Sequence, residues 1–408
     1  MKPRWFPPRP LEFLLVSQNQ TDPEKRTQGW MGIRRGHQAH PIEWLAERFI
    51  FLVSLTAILM VFLIFAFVLR EALPLLTGEV SSAAVQPVIP VADMDKIPAE
   101  KLRLYLELTP QQFATMDHDT KKLLMETKVE GAQDAPDNKD AKINTIEWRY
   151  LLFPYQWSGY DKPVYIWQPV SDIKKYNIIP IVIGSLKITL VSLVFAVPLA
   201  LAAAIFVSQL APPKLKEIIK PAIELLSGIP SVVAGFFALI IMATVLQKIF
   251  GYESRLNAFV AGIALGFAII PVVFSIAEDA LTSVPHNFTQ AALALGASRW
   301  QAAWQVVLPA ALPGVFAAIV LGFGRAIGET MIVLMASGNA SIMSGNIFDS
   351  ARTITATIAA ELAEAVFGGD HYRILFLIGA LLFLVTFLSN MAGEMVMQRL
   401  KGKLEGKK

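Results

Sequence analysis

Arg325 and Glu329 stand four residues apart in "GFGRAIGETM" (322–331), inside an apolar run from Leu312 to Ala336. A guanidinium is planar, always charged, and shaped to hold two oxygens of a phosphate-like anion at once. At the centre of a membrane helix an arginine costs about 2.5 kcal/mol or more, so Arg325 is expected to face a bundle interior or a wet path, not lipid. Residues at i and i+4 share a helix face, and two roles fit such a pair. In one, Arg325 lines a conduit and touches a passing anion, while Glu329 orients it and moderates its grip, because a pore has to release what it binds. In the other, the two form a self-satisfied salt bridge that pins the packing of the helix. The conduit is the expectation carried forward, since ionisable groups within membranes default to function. Gly324 and Gly328 form G-x-x-x-G, which lets a neighbouring helix approach closely. Thr330, and Ser227 and Ser231 of "SGIPS", are further candidates for the same path, although a helix hydroxyl more often bonds its own backbone.

The elements that must position these residues are membrane spans. Of the 408 residues 54% are hydrophobic and 17% charged, which is too apolar for an ordinary soluble domain. Six runs approach the ~20 residues a helix needs to cross a bilayer, at about 49–69, 181–207, 229–247, 257–277, 312–336 and 373–397. With six spans both termini share a side. Lysines and arginines of the N-terminal arm, the tail and the connection at Lys214, Lys216 and Lys220 then fall together, which makes that side cytoplasmic. The first run is too long for a signal-peptide core and is expected to stay as an anchor. A chain without cysteine has no disulfide, thiolate metal site or thiol nucleophile. Five scattered histidines form no metal cluster, and a net charge of +3 gives no reason to expect nucleic acid.

Residues 71–176 read as one extracytoplasmic insertion, partly folded, with "EGAQDAPDNKDAK" as a flexible polar connector. The aromatics of "YDKPVYIWQPVSDIKKYNIIP" are expected to anchor at the membrane interface. Lys187 is expected to snorkel toward headgroups, and Glu361 and Glu364 to occupy the solvated face of a short helix. No constellation of the Ser/His/Asp, metal-ligand or paired-carboxylate kind appears in the spans, so no catalytic residue is assigned.

Between the fourth and fifth spans, "TQAALALGASRWQAAWQVVLPAALPG" is too polar to span and apolar enough to pack. Gln290 to Leu295 favours helix, Gly296 suits a left-handed stop, and Ser298 can cap the next helix. Trp300 and Trp304 share a face of that second helix, which Pro309 should disrupt or redirect. The product is a helix–turn–helix presented to the cytoplasm.

The spacing of Gln290-Ala291-Ala292, Gly296, Val306 and Leu308-Pro309 resembles the EAA loop of ABC importer permeases. That resemblance implies a coupling helix, with Arg299 at its surface, that docks in a groove of an ATPase subunit. Gln290 stands where the family usually has glutamate, which puts a salt bridge there in doubt but not the helix geometry. A second resemblance is carried by "IELLSGIPSVVAGFFAL", "GFGRAIGETM" and "HYRILFLIGALLFLVTF". These are similar to the permeases of the bacterial high-affinity phosphate importer (the Pst system), and the methionine after Gly-Glu-Thr with the "ASGN" of 336–339 favours the PstC type over the PstA type. The likeness covers about residues 178–398.

The resemblance implies an all-α polytopic membrane protein with the type I ABC importer permease fold. It divides into a cytoplasmic arm (1–48), a first transmembrane helix (49–70), the insertion (71–176), a permease core (177–398) with its coupling loop (282–311), and a cytoplasmic tail (399–408). It further implies phosphate import across the bacterial inner membrane beside a second, PstA-type permease subunit. An ATPase dimer of PstB type would use ATP and Mg, and a periplasmic binding protein of PstS type would deliver phosphate. No cofactor is expected on this chain, which has no G-x-x-x-x-G-K-[ST] phosphate loop. Sulfate or molybdate is the competing cargo. A membrane sensor built on the insertion is the competing class, but a sensor needs neither four further spans nor an EAA-like loop.

Overall fold

Six helical segments are long and apolar enough to cross a bilayer: Trp44–Leu75, Ile179–Leu210, Ser231–Phe250, Ala258–Thr282, Arg299–Ile327 and Asp370–Leu400. They are seen in a computed structural model that describes residues 41–77, 89, 91–133, 140, 143–171 and 173–404. The N-terminal arm up to residue 40, most of the polar connector at 130–142 and the last four residues lie outside the described residues.

Helix α1 (Pro41–Leu76) is shared by two compact units, one ending at Val61 and the other beginning at Phe62. The first unit presents exposed apolar side chains such as Phe49, Ile58 and Met60, a surface suited to hydrocarbon. In the second unit, the last turns of α1 bury Ala72 and Leu75.

After α1 come four short helices, α2 (Ala99–Tyr105), α3 (Pro110–Thr115), α4 (His118–Gln133) and α5 (Trp148–Leu152). A small core of Met94, Leu102, Tyr105, Leu106 and Met125 holds the first of these together. Glu107 ties to Lys174 at 2.8 Å and to Lys128 at 3.6 Å. Burial pushes its carboxyl up, and the two lysines outweigh that and hold it below its ordinary value. The segment ends in a two-stranded antiparallel hairpin, β1 (Trp167–Gln168) and β2 (Lys175–Tyr176), that pairs Trp167 with Tyr176. Their side chains are not interfacial anchors, as their sequence neighbourhood suggested. Trp167 is 3% and Tyr176 2% exposed, because both pack into a cluster with Ile181, Ile354, Ile374 and Ile378.

The bundle comprises α6 (Ile179–Ile205), α7 (Pro213–Leu226), α8 (Ser231–Phe237) continued by α9 (Ala243–Phe250), and α10 (Ala258–Thr282). Next come α11 (His286–Ala294) and α12 (Arg299–Ala302), then α13 (Leu308–Ile327), α14 (Met331–Ala336), α15 (Ile354–Glu361) and α16 (Asp370–Leu404). Helix α10 lies at the centre, packed on α6 and α13, and α13 packs in turn on α16. Asn257 starts α10 by accepting the Val260 N–H at 2.9 Å, which satisfies a donor that a buried helix end would otherwise leave orphaned.

Close approach of α6 and α10 depends on Gly262 and Gly266. A Cβ at Gly262 would fall 2.4 Å from Val191 Cγ1, and one at Gly266 would fall 2.6 Å from Phe195 Cδ1. This G-x-x-x-G, not that of Gly324 and Gly328, carries the tightest packing of such a pair. Gly324 meets only the end of the Asn390 side chain, at 3.2 Å, and Gly328 meets only carbonyls of its own helix. The reason is that α13 stops at Ile327, so Gly328 has no helix face to offer.

The fifth span is displaced from its expected place at 312–336. It runs from Arg299 to Ile327 because Pro309 does not break it. Proline sits in the first turn of α13, after a wider π-type turn at Ala303–Val307. A first-turn proline lacks only an N–H that has no helical partner anyway. At the other end the chain leaves the helix at Gly328 and resumes at Met331.

Candidate functional site

The break at Gly328–Thr330 places the two charged residues differently from a continuous helix. Arg325 lies in the last turn of α13 and is exposed, on a strip with Leu321 and Gly328, while Gly322 and Ala326 face the core. Glu329 is half-buried and off the helix. No ion pair joins them among the described residues, so the self-satisfied salt bridge is absent, and so is the orienting role expected of Glu329. The i, i+4 rule requires unbroken helical geometry between the two positions, and the chain breaks at the intervening Gly328. Glu329 Oε1 instead accepts the Thr330 N–H at 3.1 Å, and its carbonyl accepts from Thr355 Oγ1 at 2.8 Å.

Arg325 is thus a cation in the last turn of a candidate span that the described residues leave exposed. It sits at a helix C-terminus, where the macrodipole places about half a negative charge.

Thr330 is half-buried at the break. Ser231 opens α8 one turn before Gly235, and Gly235 packs against Met331 and Met335, where an added Cβ would meet Met335 Sδ at 2.8 Å. Ser231 therefore stands close in level to the break. Ser227 does not join it: it ends α7, exposed, and donates to the Glu224 carbonyl at 2.6 Å. Lys187 Nζ donates to the Asn346 carbonyl at 3.1 Å, in an exposed hydrogen bond.

The helix–turn–helix forms as its turn chemistry dictates. Gly296 takes φ +89°, which costs glycine little and other residues more. Ser298 caps α12 in a reciprocal box with Gln301, at 3.2 Å and 2.8 Å. Gln290, Ala291 and Arg299 are exposed, Ala292 and Leu308 turn inward, and Pro309 is exposed. Trp300 and Trp304 stack with centroids 6.0 Å apart and remain 57% and 52% exposed. Phe288 and Leu295 of the same loop are exposed as well. Beside this loop Lys220 of α7 binds Glu278 near the end of α10 at 2.7 Å. That hydrogen bond raises the Lys220 ammonium above its ordinary value.

One group of residues had no signal in the sequence. Glu361, expected on a solvated face, is 9% exposed. Its carboxylate takes Arg352 Nη2 at 2.7 Å, His371 Nε2 at 3.3 Å and the Trp167 indole N–H at 3.1 Å. Burial pushes the Glu361 carboxyl above its ordinary value, with Arg352 pulling it back. Glu364, three residues on, is exposed as expected. Among the described residues no group of three or more His, Cys, Asp or Glu could hold a metal ion.

Residues 196–402 match the family model described as "Binding-protein-dependent transport system inner membrane component". The chain is 37% identical over 223 residues to the "Probable ABC transporter permease protein YqgH" of Bacillus subtilis, covering 54% of this chain and 72% of that one. It is 33% identical over 261 residues to the "Phosphate transport system permease protein PstC" of Pasteurella multocida, covering 59% and 80%. The PstC protein of Mesorhizobium japonicum is 35% identical over 242 residues, covering 54% and 73%.

Proposed function

The chain belongs to the inner membrane components of binding-protein-dependent transport systems, and from that footing we propose that it is the PstC-type permease subunit of an importer of inorganic phosphate. Its relatives include permeases named for phosphate transport, the Pasteurella protein being matched over 80% of its length. In this reading it shares a path with a second permease of PstA type. A PstB-type ATPase dimer hydrolyses ATP with Mg, and a periplasmic PstS-type protein supplies phosphate.

The observation that carries the reading is the uncovered Arg325 in the last turn of a membrane span. Hydrocarbon does not solvate a guanidinium, so another subunit or water has to cover that strip. A path between two permease subunits does both. Phosphate passing there meets a planar donor able to hold two of its oxygens, with Ser231 and Thr330 at a similar level. The negative end of the α13 dipole keeps the grip loose enough for release. Gln290, Ala291 and the Trp300–Trp304 face form the surface that receives the ATPase, and the lysines and arginines of the arm, the tail and the loop at Lys214, Lys216 and Lys220 favour a cytoplasmic side for it and for both termini.

The reading is tested in the reconstituted complex. ATP hydrolysis is expected to rise when binding protein and phosphate are supplied on the outer side, and to stay near its basal rate with sulfate. Equal stimulation by sulfate would overturn phosphate as the cargo and leave membership of the family untouched.

A further inference from the structure

Helix α15 is too short to span a membrane, yet both of its ends are fastened. At its start, Thr355 Oγ1 donates to the Glu329 carbonyl at 2.8 Å, inside the break of the fifth span. The Ile354 N–H donates to Ser185 Oγ of α6 at 3.0 Å, and Thr353 caps the helix by accepting the Ala356 N–H at 3.2 Å. At its end, the Glu361 carboxylate gathers three donors from three other parts of the chain. These are the indole of Trp167 on β1, the guanidinium of Arg352 and the imidazole of His371 at the start of α16. His371 in turn stacks on Tyr176 of β2, with rings 5.7 Å apart and 16° from parallel. Backbone packing around Arg352 is equally tight, because its carbonyl oxygen lies 2.2 Å from where a Cβ on Gly184 would be.

A buried carboxylate held by a guanidinium, an indole and an imidazole that burial keeps neutral has no freedom to swing, since each lost donor would leave charge unsatisfied in a poorly solvated place. Eight residues of helix make a rigid rod about 12 Å long. Its two ends are the hairpin and the break. Beside the cluster a cavity of 660 Å³, lined in part by Lys174, Glu361 and His371, gives the hairpin room to shift.

We infer that α15 is a strut through which the β1–β2 hairpin sets the position of the fifth-span break, so that Trp167 is a positioning residue for the strip that carries Arg325. This rests on the reading of that strip as the transport path, but the geometry of the strut does not depend on the identity of the cargo. A movement of the hairpin, such as a docked extracytoplasmic protein would impose, is carried along α15 to Glu329 and Thr330.

Because the chain has no cysteine of its own, Thr330→Cys places a single thiol at the break. Its rate of modification by a charged, membrane-impermeant thiol reagent is measured in the assembled complex, with and without Trp167→Phe, which keeps the ring and removes the N–H. A strut predicts a change of roughly twofold to thirtyfold in that rate, the size that mutations along a coupled element produce. Thr109→Ala removes the cap of α3 without touching the cluster and is expected to leave the rate unchanged. Glu361→Gln, which keeps the shape and drops the charge, serves as the second variant and is expected to change the rate in the same direction. An unchanged rate in intact complexes of either cluster variant overturns the strut, and so does an equal change from Thr109→Ala. If Arg325→Gln transports normally while the cluster variants still change the labelling, the path reading fails and the strut stands.

Discussion

Arg325→Gln, in a complex that still assembles, is expected to lower phosphate uptake by about ten- to a hundredfold. That loss corresponds to the roughly 1.5–3 kcal/mol that a charge-assisted hydrogen bond contributes. Arg325→Lys keeps the charge and loses the planar fork, so uptake should fall between the wild type and Arg325→Gln. Glu329→Gln gives the contrasting result. Its carboxylate touches the Thr330 N–H and not the guanidinium, so its loss should be smaller than that of Arg325→Gln. Initial rates of radiolabelled phosphate uptake into vesicles, normalised to assembled complex, distinguish the three. Equal losses from Glu329→Gln and Arg325→Gln would show that the two act as a pair after all.

The second large effect concerns assembly. Gly262→Val should remove most of the folded protein from the membrane. Even an alanine Cβ there would lie 2.4 Å and 2.6 Å from Val191 Cγ1 and Cβ, atoms next to the backbone that have little room to yield. Overpacking of a dense core costs about 1–3 kcal/mol, and membrane helices rely on such backbone approach for their association. Because α10 contacts both α6 and α13, a displacement at Gly262 spreads to the span that carries Arg325. Gly324→Ala is the matched comparison. Its new methyl would meet the end of the Asn390 side chain at 3.2 Å, a group that can rotate away. The yield of monodisperse protein after mild detergent extraction, and its thermal midpoint, should fall sharply for the first variant and little for the second.

These two positions also mark how far the sequence could be read. Two G-x-x-x-G patterns lie in apolar runs and look alike. Which one packs is decided by whether the helix continues through it, and the helix at Gly324–Gly328 does not. The stop was visible in principle, since Gly328 and Thr330 are poor helix continuers and Thr330 stands in the N-cap position of the next helix. The apolar residues on either side outweighed it in a reading based on length and hydropathy. Spans as such were legible because an unbroken apolar run has few alternatives in water, but their ends shifted wherever a proline or glycine had two possible roles, as at Pro309. The turn between α11 and α12 was legible in detail because Gly296 and Ser298 act on their own neighbours. Glu361 was not, because its indole partner is 194 positions away in sequence and no local pattern records such a meeting. Trp167 and Tyr176 escape a local reading for the same reason: aromatics before a span look like anchors until the element that covers them is known.

The central claim is that the Arg325 strip faces an aqueous path shared with a second subunit, and Arg325→Cys tests it most directly. In the assembled transporter the thiol at position 325 is expected to react with a charged, water-soluble thiol reagent. Phosphate with its binding protein is expected to slow the reaction, and sulfate is not. A reagent that installs an ammonium group should restore part of the lost uptake. A thiol that stays unreactive to charged reagents in the intact complex, while a lipid-soluble maleimide modifies it freely, would place the strip in hydrocarbon and contradict the account.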